Sequence, residues 1–591
     1  MRWLGAGLLV MLVNSAYLAA HASPTIFYMG NALLHLGLGL ALAIALVVVV
    51  RRERALAAPA GCFAAAALLG LYLAKLGNVS GNRWALGLHI ALAGLGVGLL
   101  IPFVRRRADA RFQHVFRFAV ALLVLWPAAS AVYRPNPGDR IHNPRSAPDD
   151  MAGEGGGPAS PFFPSSARTN VGGIIPANFF MDSTLCGECH KDIYDQWHSS
   201  AHHFASFNNQ FYRKSVEYMQ DVIGTRPSKW CAGCHDHAVF FNGRFDRPIR
   251  EQIDTPEAHA GLACTSCHSI VKVDSSMGNG GFTIEYPPLH ELATSRNPWM
   301  RRLDRFLTFL DPEPHRRTFM KPFMRLDASE YCSTCHKVHL DVPVNNYRWF
   351  RGFNDYDTWQ ASGVSGQGAR SFYYPEKSSN CVDCHMPLVE SRDPGHHDGK
   401  VHSHRFPGAN MAVPFANRDE AQMRETERFL KSGFITVDIF SVAPVEENAR
   451  AMPMIRRTGD AQRLMTGFAV GEESEPSGEF VLREVGKLAA PIDRAAAAVE
   501  PGSTVRVDVV VRTRRIGHFF PGGTVDAFDI WLELEARDAA GRVVFWSGAV
   551  EDQGRGPVEK GAHFYRALQL DGEGNAIDKR NAWQARSVMY V

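Results

Sequence analysis

Ten of the eleven cysteines fall into five Cys-x-x-Cys-His units: Cys186 and Cys189 before His190, Cys231 and Cys234 before His235, Cys264 and Cys267 before His268, Cys332 and Cys335 before His336, and Cys381 and Cys384 before His385. The spacing suits covalent haem. Two thiols add across the two vinyl groups as thioethers, and the adjacent imidazole is held where it ligates the iron from the proximal side. Random placement of eleven cysteines and 24 histidines in 591 positions would give about 0.01 such units. Zinc ribbons also use Cys-x-x-Cys pairs, but zinc has no need of a histidine after every second cysteine, and five pairs leave one unmatched. A disulfide framework has no reason to repeat this spacing five times. The units therefore read as sites for five covalently bound haem c groups, with only Cys62 left over.

Beyond the five proximal histidines, nineteen remain to supply distal ligands. Twelve lie near the units, His259, His315 and His339 among them; taken singly, any one of these is as well explained by surface exposure or an ordinary hydrogen bond. From Cys186 to His385 the chain has 200 residues for five haems. The macrocycles must then supply much of the core, wrapped by helices and loops, and close porphyrins favour electron hopping.

These sites have to be positioned by two unlike parts of the chain. The mean hydropathy of −0.15 averages a Leu-, Ala-, Val- and Gly-rich region up to about residue 133 with a polar remainder. Five stretches, 3–20, 26–50, 59–76, 84–104 and 118–133, approach the roughly 20 apolar residues that span a bilayer; the first also has features of a cleaved signal peptide. Arg51, Arg52 and Arg54, and then Arg105, Arg106, Arg107, Arg111 and Arg117, mark the cytoplasmic loops. Everything after Tyr133 is then expected on the outer face, in the periplasm of a bacterial inner-membrane protein, where c-type haem is attached. His35 and His89 lie inside the second and fourth spans, beside several glycines. An ionisable residue there is a functional candidate, and a quinol headgroup or a b-type haem between the two spans is weighed against simple hydrogen bonding to a neighbouring helix.

Residues 134–178, rich in proline and glycine, read as a linker. Residues 179–430 form the expected pentahaem domain, mostly α and irregular. From 431 to 591, alternating runs such as Val505–Val511 and Val543–Trp546 predict strands of an immunoglobulin-like β-sandwich. The fold class expected is thus multidomain: a five-span membrane bundle, a haem-packed domain and a β-sandwich.

The run Cys186-x-x-Cys189-His190-x-x-x-Tyr194-x-x-Trp197-x-x-Ser200-x-His202 resembles the first unit of multihaem cytochromes related to the tetrahaem electron acceptor of hydroxylamine oxidoreductase. Cys381-x-x-Cys384-His385-Met386-Pro387 with His402-x-His404, and Gly517-His518-x-Phe520-Pro521-x-Gly523-Thr524, are similar too. The resemblance implies distal roles for His202, His404 and His518, the last reaching a haem across a domain boundary. The fifth unit, the membrane spans and the carboxy-terminal extension depart from the tetrahaem pattern, so a soluble shuttle role does not carry over. A net charge of +3 from 63 basic and 60 acidic residues gives no footprint for nucleic acid. The expected function is electron transfer between the membrane, with its quinol pool, and a partner redox protein. The alternative is a reductase or oxidase of a small nitrogen or sulfur compound at a haem with an open sixth position.

Overall fold

A computed structural model describes residues 2–133, 139–287, 290–347, 349–369, 375–445, 489–523, 529–577 and 579–590, with short strands between 452 and 482. Two compact units emerge, Met1–Cys335 with Asn380–Phe406, and His336–Ser379 with Pro407–Val591.

The first unit opens with five helices, α1 (Arg2–Ala20), α2 (Ile26–Val50), α3 (Ala57–Leu76), α4 (Arg83–Arg107) and α5 (Ala110–Val132). All five are long and apolar enough to cross a membrane. Thr25 caps α2 by accepting from the Tyr28 amide, and Asp109 caps α5 by accepting from the Phe112 amide. The α4–α5 connection is shorter than the arginine pattern suggests: Arg105–Arg107 end α4, whereas Arg111 and Arg117 lie within α5. α1 is a full member of the bundle, packed on α2 and α5, with Asn14 donating to the Asn31 side chain at 2.8 Å and Ser130 donating to the Ala20 carbonyl at 2.7 Å.

The arginine-bearing helix ends lie at one end of the bundle, and the cysteine-bearing part of this unit is fastened to the other. Tyr28 at the start of α2 donates to the Asp311 carboxylate. In the α3–α4 turn, the Asn78 amide donates to the Phe309 carbonyl at 2.9 Å and the Ser80 amide to the Pro394 carbonyl at 3.2 Å.

Outside the bundle, the core is an aromatic cluster, with Phe179, Phe180, Phe240, Phe241, Phe245, Phe282 and Phe323 all buried. Rings of six of them meet at centroid distances of 5.0 to 6.5 Å, as in Phe180–Phe241 at 5.5 Å. The stretch expected to be a linker joins this core. Phe162 and Ile175 are buried in it, Arg168–Thr169 pairs in parallel with Phe282–Ile284, and Arg140 grips Asp327 through two nitrogens. Proline and glycine there shape a packed loop, because its few aromatic side chains bury enough surface to order it; residues 134–138 lie outside the described set.

The second unit carries the predicted strands but differs from a sandwich. Ile435–Pro444 pairs antiparallel with Val505–Thr513, and the other strands form two- and three-stranded sheets. Val437, Ile439 and Phe545 stay exposed, so among the described residues no two sheets close over a common core. The division between units also departs from the expected boundary at residue 430, since the second unit already takes in 336–379.

Phe162→Ala should therefore cost about 3–5 kcal/mol, as for any core phenylalanine. Val171→Ala, at a position 57% exposed, should leave stability unchanged. The denaturant midpoint of the detergent-solubilised chain reads both, and equal effects would restore the linker reading.

Candidate functional site

Each Cys-x-x-Cys-His unit forms about one turn of helix, and residues three and four apart on a helix share a face. Cys264–His268 and Cys381–His385 are each a complete short helix, and Cys231–His235 ends the longer Thr225–His235. In the first unit the His190 amide donates to the Cys186 carbonyl at 2.8 Å, closing the same turn. Both thiols and the imidazole are thereby presented to one side. No disulfide joins any of the ten cysteines.

Thiols of different units touch. Cys186 lies against Cys264, Cys234 against Cys335, and Cys332 against Cys381. The Tyr331 hydroxyl donates to the Cys267 carbonyl at 2.9 Å, joining the third unit to the fourth. The five units thus form one connected series, first to third to fourth, with the second and the fifth both on the fourth.

The imidazoles are set by their second nitrogen. A carbonyl or carboxylate can only accept, so an Nδ1 bonded to one carries the proton and leaves Nε2 bare for a metal. His235 donates from Nδ1 to the Ala205 carbonyl at 2.7 Å and His268 to the Phe319 carbonyl at 2.8 Å. His190 Nδ1 donates to both oxygens of Asp393 at 2.9 Å, a bond that raises the histidine pKa and keeps this nitrogen protonated. Asp393 is itself buried and held by the Gly395 amide at 2.7 Å and by the Ser391 hydroxyl, which accepts from its backbone at 2.9 Å.

Two of these rings face a second histidine. His190 and His315 have ring centroids 6.3 Å apart and planes tilted by 13°; His268 and His404 are 6.2 Å apart and tilted by 23°. Metal–imidazole bonds of about 2 Å on either side of one iron place ring centres about 6.3 Å apart. His404 donates from Nδ1 to the His402 carbonyl at 2.9 Å, and burial, with His268 opposite, lowers it to about 4, so it is neutral as ligation requires. Paired thiols, bare Nε2 atoms and this spacing fit haem c.

Of the distal candidates, His404 lies beside His268. His315 takes the same position opposite His190; the sequence marked it only as one nearby histidine among twelve, because its partner lies 125 residues away. His259 is exposed and donates from Nε2 to the Ile253 carbonyl at 2.6 Å, the opposite tautomer to His404. His202 sits edge-on to Phe406 at 4.2 Å, and His339 is buried beside Trp349 at 5.6 Å. His518 donates from Nδ1 to the Phe519 carbonyl at 2.8 Å. It approaches Asp355, which stands beside His336. Burial raises Asp355, but His336, 3.7 Å away, and the nearby His518 outweigh it and hold the carboxylate below its usual range. Thr524, the last residue of that motif, lies outside the described residues.

Residues 185–269, which hold the first three units, match the family described as Cytochrome c554 and c-prime. No curated protein matches the chain, and no solved structure does. The match speaks for a multihaem c-type cytochrome that carries electrons on covalently bound haem c.

Asp393→Asn removes negative charge from the His190 hydrogen bond and weakens the donation that favours ferric iron. One c-haem should shift to higher reduction potential by tens of millivolts while covalent haem content is unchanged. Spectroelectrochemical titration reads this, and an unaltered set of potentials would deny Asp393 the role.

Proposed function

We propose that the chain is a membrane-anchored, periplasm-facing pentahaem c-type cytochrome that transfers electrons between the membrane quinol pool and a partner redox protein. The observation that carries this reading is the pair of near-parallel imidazole couples, His190–His315 and His268–His404, at 6.3 and 6.2 Å. With both axial positions filled by histidine, such a site exchanges electrons and leaves no coordination position for a substrate.

In this reading the five cysteine pairs hold the haems, His190, His235, His268, His336 and His385 are the proximal ligands, and His315 and His404 are distal ligands of the first and third. His518, His202 and His339 remain candidates for the others. Bound haem c supplies a reversible one-electron couple at each site. The chain's own contribution is to bare Nε2, orient each ring through Nδ1, and keep neighbouring units in contact so that hops are short.

The membrane seat is supported by the five apolar helices and by the arginines at the end away from the cysteines. The helix Pro298–Leu310 adds to this. It exposes Trp299, Leu303 and Phe306 beside Arg301, Arg302 and Arg305, and it leads into Phe309 and Asp311, which hold the helix ends. Apolar side chains flanked by arginine suit the boundary between headgroups and acyl chains.

Electron paramagnetic resonance of the oxidised full chain should show low-spin haem only. A high-spin signal that shifts with nitrite, hydroxylamine or sulfite would replace the carrier by a catalyst. Orientation has its own test: a reporter fused after Ala108 should lie in the cytoplasm and one after Gly153 outside, and the reverse would remove the periplasmic assignment.

A further inference from the structure

We propose that His35 and His89 ligate a non-covalent, b-type haem between α2 and α4, placed beneath the first c-type site. The ligation rests on reading the five helices as membrane-spanning, and its placement rests in addition on the His190–His315 site proposed above.

The two rings have centroids 6.1 Å apart, within 0.2 Å of the His190–His315 and His268–His404 pairs. A direct N–H···N bond between two imidazoles would bring their centres to about 5.2 Å. A quinol ring bridged oxygen-to-oxygen between them would hold them apart by its own width. The observed spacing answers to a single atom ligated from both sides.

Protonation agrees. His89 donates from Nδ1 to the Ala66 carbonyl of α3 at 2.8 Å, so its Nε2 is bare. His35 Nδ1 lies 3.4 Å from Ser15 Oγ, and that hydroxyl gives its own proton to the Met11 carbonyl at 2.8 Å, leaving Ser15 to accept from His35. Each ring is thus oriented by a neighbouring helix, as metal-bound histidines are. The tautomers match those of His235, His268 and His404 and are opposite to that of His259.

Two imidazoles alone do not make a site for a bare transition ion, which takes about four ligands. Among the described residues no group of three or more His, Cys, Asp or Glu side chains is placed to hold a bare metal ion. A pair suffices only where a macrocycle provides the remaining ligands. Neither histidine follows a Cys-x-x-Cys pair, so ligation and packing alone would retain it. The helices leave room: α3 packs against both α2 and α4, Gly70 of α3 lets His89 approach, since a Cβ there would stand 3.3 Å from its Cε1, and side-chain atoms at Gly37 and Gly87, two residues from each histidine, would meet nothing within 4 Å.

The position has a consequence for the c-type series. At 1.5 Å per residue, His35 and His89 lie roughly 13 and 9 Å below the outer ends of their helices. Those ends are held by Asp311, four residues before His315, and by Pro394, next to Asp393. Both sides of the first c-type site, His315 and the Asp393 that orients His190, therefore rest on the helices that carry the membrane pair, which makes the first unit the one facing the bilayer.

The test uses the full chain, purified in mild detergent from a host that attaches c-type haem. Acidified acetone should extract one haem per chain with a b-type pyridine haemochrome, leaving covalent haem with the protein. His35→Leu and His89→Leu should each lower the extractable haem at least tenfold without changing covalent haem. Because these ring planes are tilted by 61°, against 13° and 23° in the c-type pairs, the lost low-spin resonance should be the more anisotropic one. His89→Met, which keeps an axial ligand, should retain the haem with an altered signal and guards against a variant that fails to insert. No extractable haem in the wild-type chain, or extractable haem that survives in both leucine variants, would overturn the proposal. Missing covalent haem would instead count against the function proposed above.

Discussion

An imidazole binds iron only through a nitrogen without a proton, and in this chain the backbone decides which nitrogen that is. Carbonyls of Ala205, Phe319 and His402, and the carboxylate of Asp393, each take the Nδ1 proton of one histidine and leave Nε2 bare. Three of these acceptors are distant in sequence from the histidines they orient, and the fourth, His402, lies two residues from His404. Ala205 comes from an irregular segment, and Phe319 ends the helix Glu313–Phe319.

The same constraint separates histidines that composition treats as equal. His237 and His259 donate from Nε2, to Gly233 at 2.9 Å and Ile253 at 2.6 Å, and become structural. His237 is fully enclosed among Phe180, Phe241 and Phe282, and burial lowers it to about 4, so it stays neutral as a core residue. His315 and His404 stand opposite proximal rings instead. Chemical type is shared; the hydrogen-bond partner assigns the role.

Attachment of the first unit to the helix bundle follows from a few polar contacts at chain turns. Tyr28, Asn78 and Ser80 each meet a residue close to the first Cys-x-x-Cys-His site or to its facing histidine. A helix bundle that merely tethered the rest would need only the covalent connection after Tyr133. Here three further contacts fix one site over the helix ends away from the arginines.

The sequence by itself determined the five Cys-x-x-Cys-His units and the five apolar helices, because both signals are local: a thiol spacing of three and an apolar run of about twenty residues depend on nothing remote. It also marked His35 and His89, since a histidine inside an apolar run stands out wherever its partner lies. Only the tertiary structure decided that His315 faces His190, that Asp393 lies behind it, that His259 spends its Nε2 on a carbonyl, and that the Pro- and Gly-rich stretch enters the core through Phe162. It also decided that the described carboxy-terminal strands pair in two- and three-stranded sheets. Apart from the His259 contact, which spans six positions, these turn on contacts between residues tens to hundreds of positions apart, and the distance between two imidazoles is set by where the intervening chain packs, which no spacing in the sequence records.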